Sequence, residues 1–237
     1  MYGFGPKSRP NLHHEVQAGF PKRWVIGVDE VGRGCLAGPV VASAFALPID
    51  EHAWRVPADT WLKTVRDSKL VDAEERTTLD AELRKWGPGF AIAEASVTEI
   101  DTINILHASM LAMKRAAEEL IARLDLKTAD SVFLVDGNRA PAILHRDVRA
   151  EVRTVVEGDL KCLSIACASI IAKVYRDDLM RELDEAVPGY GFARHKGYPT
   201  PEHRRALKGL GVTVHHRRSF GPVRECCPPA VVSARIY

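Results

Sequence analysis

The chain has 237 residues, with 33 basic and 31 acidic side chains and a net charge of +2, which excludes a uniformly basic nucleic-acid coat. Hydrophobic residues make up 46% and charged residues 27%, enough apolar side chain for one large domain or two small ones and too much for a disordered chain. Any grip on a polyanion must come from local clustering of charge.

In chain order, residues 1–20 read as a tail rich in Gly, Pro and His. Trp24–Val28 and Pro39–Leu47 are β-type runs separated by a bend containing Gly32, Gly34 and Gly38. The spacing predicts an amphipathic helix over Asp72–Trp86, with Asp72 as N-cap and Gly87-Pro88 as the stop. A strand over Phe90–Val97 precedes the longest helix, Thr98–Leu124, in which Ile100, Ile103, Leu106, Met110, Met113, Ala117, Leu120 and Leu124 recur at helical spacing. Ser131–Val135 and Val152–Val156 are short apolar strands, and Leu163–Ala186 is a helix with a small face of Ala166, Ala168, Ser169 and Ala172. Early strands followed by alternating strands and helices predict the α/β class, a mixed sheet with helices packed on it. One domain is expected over 21–225, with a second tail over 226–237.

No stretch approaches the ~20 consecutive apolar residues of a membrane span, and Met1–Arg23 lacks the apolar core of a secretory signal. The cysteines, Cys35, Cys162, Cys167, Cys226 and Cys227, are odd in number and contain no CxxC pair. That argues against a disulfide framework or a zinc knuckle and fits a reducing cytoplasm, the expected location. Cys35, Cys162 and Cys167 are expected to act as small buried apolar residues.

Four carboxylates stand out by position. Asp29 and Glu30 end the first strand, Asp136 ends another, and Asp159 follows a third. Taken singly, each fits a solvated turn. If neighbouring strands bring these ends together, the charges repel and raise one another's pKa unless cations neutralise them. Oxygen ligands without a nearby His or Cys suit Mg²⁺ or Mn²⁺, and two such ions about 3.5–4 Å apart can drive phosphodiester hydrolysis.

From Arg194 to Arg218 seven Lys and Arg residues face one acid, Glu202, with His195, His203, His215 and His216 as further donors. Such a stripe attracts phosphates, and Tyr190, Phe192, Tyr198 and Phe220 could stack on sugars or bases; a solvated face over core aromatics is the plain alternative. Gly32-Arg33-Gly34 lets backbone groups approach a ligand closely, or is simply a tight turn. It is no dinucleotide fingerprint, because the GxGxxG spacing is absent. Lys69 and Lys173 could contact phosphates or lie on the surface.

Together these strings resemble a known family. Asp29-Glu30-Val31-Gly32-Arg33-Gly34, Asp67-Ser68-Lys69, Val135-Asp136-Gly137 and Gly158-Asp159 stand in order. They are followed by Ser164-Ile165-Ala166-Cys167-Ala168-Ser169-Ile170-Ile171-Ala172-Lys173-Val174, His195-Lys196-Gly197-Tyr198-Pro199-Thr200 and His216-Arg217-Arg218-Ser219-Phe220. From about Trp24 to Val223 the chain is similar to bacterial ribonuclease HII, the type 2 ribonuclease H. The resemblance implies a ribonuclease-H-like mixed five-stranded sheet flanked by helices, with a C-terminal helical extension. It implies endonucleolytic cleavage of the RNA strand of RNA–DNA hybrids and incision 5′ to single ribonucleotides in duplex DNA, leaving 3′-hydroxyl and 5′-phosphate ends. Asp29, Glu30, Asp136 and Asp159 would be catalytic and hold two Mn²⁺ or Mg²⁺ ions. Gly32, Arg33 and Gly34 would read the 2′-hydroxyl, and Tyr198 would stack on the following deoxyribose. Ser68, Lys69, Ser164, Lys173 and Lys196 would complete the substrate contacts. The implied partners are RNA–DNA hybrid and ribonucleotide-containing duplex DNA, with no membrane and a monomeric protein.

Two departures are visible: Leu70 follows Lys69 where many relatives have a second lysine, and Cys167 stands where alanine is usual. Another nuclease on the same sheet without 2′-hydroxyl selectivity, and a non-catalytic hybrid binder using only the basic stripe, are the alternatives. Four carboxylates facing a polyanion without metal would oppose the binder.

Overall fold

The computed structural model describes residues 9–54, 61–145 and 148–227. Residues 1–8 and 228–237, parts of the two expected tails, lie outside them. The rest of the N-terminal stretch is packed. Helix α1 (His13–Gln17) leads into strand β1 (Trp24–Val31), and the isolated bridge Asn11↔Cys162 ties its entry to the core. The expectation of a tail over 9–20 is corrected accordingly, since Leu12, Glu15, Ala18 and Phe20 are buried.

Strand β2 (Val40–Ala46) returns antiparallel to β1, pairing Asp29 with Ser43. Helix α2 (Ala73–Trp86) begins where expected, with the Asp72 carboxylate accepting the Glu75 amide at 2.9 Å. Strand β3 (Gly89–Ala95) pairs antiparallel with β2. It stops before Val97 because Ser96 caps the next helix, α3 (Val97–Leu124), in a capping box with Glu99. Periodicity predicts this helix as continuous, yet Asn104 breaks it at φ 65°, and its side-chain oxygen re-caps the second half by accepting from the Leu106 and His107 amides.

Strand β4 (Ser131–Asp136) runs parallel to β1, and a short hairpin of β5 (Leu144–His145) and β6 (Val148–Arg149) precedes β7 (Glu151–Val155), parallel to β4. The sheet order is β3-β2-β1-β4-β7, the mixed five-stranded sheet expected from the sequence. Helices α4 (Gly158–Lys161), α5 (Leu163–Ala186), α6 (Phe192–His195), α7 (Pro201–Leu210) and α8 (Gly221–Arg224) complete the described chain. Among the described residues no helix is long and apolar enough to cross a membrane.

Two cores sandwich the sheet. Ile26, Val28, Phe133 and Val135 pack with Ala112, Met113, Ala116 and Leu120 of α3. Val25, Val132 and Leu134 pack on the other face with Ile165, Ala166 and Ala168 of α5. Side chains alternate along a strand, so Gly27 and Asp29 of β1, and Asp136 of β4, belong to the α5 face. The close approach of α5 depends on Gly27, where a Cβ would lie 2.0 Å from the Ser164 carbonyl carbon. Cys35, Cys162 and Cys167 are free and buried, as expected.

Candidate active site

The parallel ladder between β1 and β4 pairs Val28 with Val135, so the next residues, Asp29 and Asp136, emerge side by side at the carboxyl ends of the two central strands. Neighbouring strands lie about 4.8 Å apart, which brings two acids on one face within each other's field. Asp29 is buried, and one of its oxygens accepts the Glu30 amide at 2.8 Å. Burial raises its pKa well above the ordinary carboxylate value, and the charges of Glu30, Asp136 and Asp159 raise it further against a hydrogen bond from Ser169. Asp136 is oriented by the Gly158 amide, which donates to its Oδ1 at 2.7 Å. Asp159 sits in the first turn of α4, one residue on.

Glu30 and Asp159 each have a cationic neighbour. Arg33 pairs with Glu30 at 3.2 Å and Lys69 with Asp159 at 3.5 Å. Both carboxyls are nevertheless shifted upward, chiefly by burial, with Arg33 opposing it at Glu30. At Asp159 the charges of Asp67 and Asp136 add to burial while Lys69 opposes it. Burial alone would lower the Lys69 pKa, but Asp67, Asp159 and Asp29 outweigh it and raise it. Among the described residues no three His, Cys, Asp or Glu side chains form a closed metal cage. The donor set is all oxygen and over-supplied with negative charge, which fits hard divalent ions.

The Gly32–Gly38 bend flanks these acids. Gly32 has φ 93°, and a Cβ there would meet Arg176 Nε at 2.2 Å, so only glycine fits. Arg33 and Gly34 are exposed, and Tyr198, 37% exposed, lies beside Gly34 with its ring 3.9 Å from where a Cβ would be. Two fully buried arginines hold this arrangement from behind. Arg176 donates to the carbonyls of Ala37, Pro39 and Lys196 at 3.2, 3.2 and 2.9 Å. Arg217 donates to those of Gly38, Arg33 and Pro39 at 2.9, 3.0 and 3.1 Å. Burial pushes the Arg217 pKa down to about 10, and the carbonyl dipoles do the solvating.

Histidines fix the Tyr198 segment. The Gly197 amide donates to His195 Nδ1 at 3.2 Å, so the proton lies on Nε2, which donates to the Tyr190 carbonyl at 2.8 Å. The Thr213 amide donates to His216 Nδ1 at 3.1 Å, which leaves His216 Nε2 donating to His203 Nε2 at 3.2 Å and His203 Nδ1 donating to the Tyr198 carbonyl at 3.0 Å. All three rings are therefore neutral.

Several expected substrate contacts are relocated. Ser164 is fully buried, its hydroxyl donating to Glu15 Oε1 at 2.8 Å, so it does not line the cleft. Ser68 is also buried and shares a 3.0 Å hydrogen bond with Ser169, which supports Asp29 from behind. The basic stripe is only partly a stripe. His195, His203, His216 and Arg217 are buried, and so are Tyr190 and Phe192, which stack on each other 5.2 Å apart as core. Arg204, Arg205, Lys208 and Arg218 are exposed, while Arg194 is paired with Glu202. Lys69 is exposed, and Lys173 and Lys196 are half-buried. Sequence alone does not single out Glu15, Arg176 or the buried histidines for these structural roles. Their partners are backbone groups or residues distant in the chain, which leave no local signal.

The family model described as Ribonuclease HII matches residues 26–223. A ribonuclease HII of Granulibacter bethesdensis is 52% identical over 202 residues, covering 85% of this chain and 85% of that protein. Among solved structures, ribonuclease H2 of Pyrococcus horikoshii OT3 superposes with a TM-score of 0.67 at 24% identity, covering 86% of this chain and 96% of that one. Bst-RNase HIII in complex with Mn²⁺ superposes with a TM-score of 0.63 at 20% identity, covering 88% of this chain and 70% of that one. The matched span includes every carboxylate of the site, and the chain belongs to the ribonuclease HII family.

Proposed function

We propose that this chain is a divalent-metal-dependent endoribonuclease that cuts the RNA strand of RNA–DNA hybrids and incises duplex DNA 5′ to a single embedded ribonucleotide. Its products carry 3′-hydroxyl and 5′-phosphate ends. Family membership makes the chain a ribonuclease H, a nuclease of the hydrolase class. The observation that supports the finer reading is that Asp29 and Asp136 each follow the paired residues Val28 and Val135 at adjacent parallel strand ends, with Glu30 and Asp159 close enough to raise the Asp29 pKa.

On this reading Asp29, Glu30, Asp136 and Asp159 hold two Mn²⁺ or Mg²⁺ ions. When bound, such ions supply the positive charge that activates water and stabilises the leaving oxygen. The Mn²⁺ complex of the ribonuclease HIII neighbour agrees with that choice of ion. The rest is positioning. Gly32-Arg33-Gly34 faces the ribose, where backbone groups discriminate a 2′-hydroxyl from hydrogen. Tyr198, beside Gly34, offers an aromatic face to the next sugar. Lys69, Lys173 and Lys196 receive phosphates, and the exposed basic residues of α7 follow the duplex. The enzyme acts as a monomer in the cytoplasm.

An end-labelled DNA duplex with one ribonucleotide, beside an all-DNA control, tests the reading with Mn²⁺, Mg²⁺ or EDTA. Metal-dependent incision 5′ to the ribonucleotide with the control intact is expected. Equal cutting of the control would remove the 2′-hydroxyl role of the Gly32–Gly34 loop. No cutting with either metal would favour the hybrid binder.

A further inference from the structure

Ser169, Lys173 and Asp177 follow one another at four-residue intervals along α5, a single stripe that runs from Asp29 outward. Asp177 is 7% exposed and serves three cations. Its Oδ1 accepts from Lys173 Nζ at 2.5 Å, its Oδ2 accepts from Arg76 Nη1 at 3.3 Å, and its backbone carbonyl accepts from Lys196 Nζ at 3.3 Å. Arg76, 9% exposed, directs its remaining donors at the carbonyls of Ser68 and Val71, at 2.9 and 2.6 Å. Those two residues bracket Lys69. Lys173 directly, and the turn that carries Lys69 through Arg76, are thus referred to a single carboxylate, with Lys196 on the backbone carbonyl of the same residue.

The charge of that carboxylate has the wrong sign for its place. An acid beneath a phosphate-binding surface repels the substrate and cancels part of the attraction of the lysines above it. Its contribution must therefore be geometric: a free lysine loses side-chain entropy on binding, and a tethered one has less to lose. We propose that the Asp177 carboxylate is a positioning group that pre-organises Lys173 and, through Arg76, the Ser68–Lys69 turn as one rigid phosphate cradle. This inference rests on the reading of those lysines given above.

The two roles of the charge make opposite predictions for Asp177→Asn, which keeps the side chain's shape and adds one net positive charge. Binding of a fluorescent duplex with one embedded ribonucleotide is titrated by anisotropy in EDTA at several salt concentrations. Positioning predicts about tenfold weaker binding in spite of the added charge, and a slope of log K on log salt that shrinks by about one for each phosphate the lysines no longer neutralise. Equal or tighter binding would overturn the proposal, and so would weaker binding with the slope intact, because the lysines would then still reach their phosphates. If Asp177→Asn loses its cooperative thermal transition, Arg76→Lys decides. It keeps a cation beside Asp177 but cannot span the Ser68 and Val71 carbonyls, so a slope reduced by about one is expected and an unchanged slope overturns the proposal. Failure of the wild type to cut the same duplex with Mn²⁺ would remove the parent reading, whereas a wild type that cuts beside an unaltered Asp177→Asn removes only this inference.

Discussion

Gly27 of β1 touches the backbone of Ser164 on α5: a Cβ at Gly27 would stand 2.0 Å from the Ser164 carbonyl carbon and 2.3 Å from the Ile165 nitrogen. This contact sets the height of α5 over the sheet and brings Ser169, on the same helix, to Asp29, two residues further along β1. Because the obstructing atoms are backbone, they cannot swing aside. Gly27→Ala is expected to cost about 3 kcal/mol or more, the upper end for overpacking, and to lower cleavage in the fraction that stays folded. Chemical denaturation beside an activity assay checks this; an unchanged midpoint would mean that α5 can lift without strain.

Asp29→Asn separates stability from activity. The Asp29 carboxylate is disfavoured by burial and by its acidic neighbours, so a neutral isostere relieves that repulsion. We expect the metal-free variant to melt at a higher temperature than wild type at pH 8, while cleavage falls on the order of a hundredfold or more. Retained turnover in a clean preparation would remove Asp29 from the centre of the mechanism.

Glu15 gives the fold a pH dependence. Burial raises its carboxyl to about 7 from 4.5, against two hydrogen bonds from Ser164 that lower it. Between those values the folded protein keeps a proton that the unfolded chain releases, so stability falls as pH rises from 4.5 to 7 and stays reduced above it. The shift corresponds to about 3 kcal/mol. Glu15→Gln retains an oxygen for Ser164, so it should melt above wild type at pH 8 and match it near pH 4. Parallel melting curves across that range would show that Glu15 does not titrate there.

Tyr198→Ala should weaken incision at a lone ribonucleotide more than cleavage of a continuous hybrid, because the ring beside Gly34 would position the junction sugar. A stacked aromatic is worth about 1–3 kcal/mol, so a loss of roughly ten- to a hundredfold at the junction is expected. Tyr198→Phe should keep most of the activity. Equal losses on both substrates would assign Tyr198 a general binding role.

The alternation of strands and helices is readable from local pattern, as is the placing of Asp29, Glu30 and Asp136 at strand ends and Asp159 just beyond one. Apolar runs closed by an acid and a glycine are local signals, and local signals survive in one dimension. Asp72 as a helix cap was legible for the same reason. Which polar residues are buried and which reach the surface depends on how distant segments pack. Arg217 and Arg218 are adjacent and chemically alike, yet Arg217 is fully buried among the carbonyls of Arg33, Gly38 and Pro39 while Arg218 is exposed. That sink of carbonyls exists only once the bend of β1 into β2 folds against the C-terminal helices. Ser164 was claimed by Glu15 from a stretch with no visible periodicity, and the break at Asn104 hid inside an apolar pattern that continues across it. Burial and pairing of polar groups depend on contacts between segments far apart in the chain, and no window of sequence contains both partners.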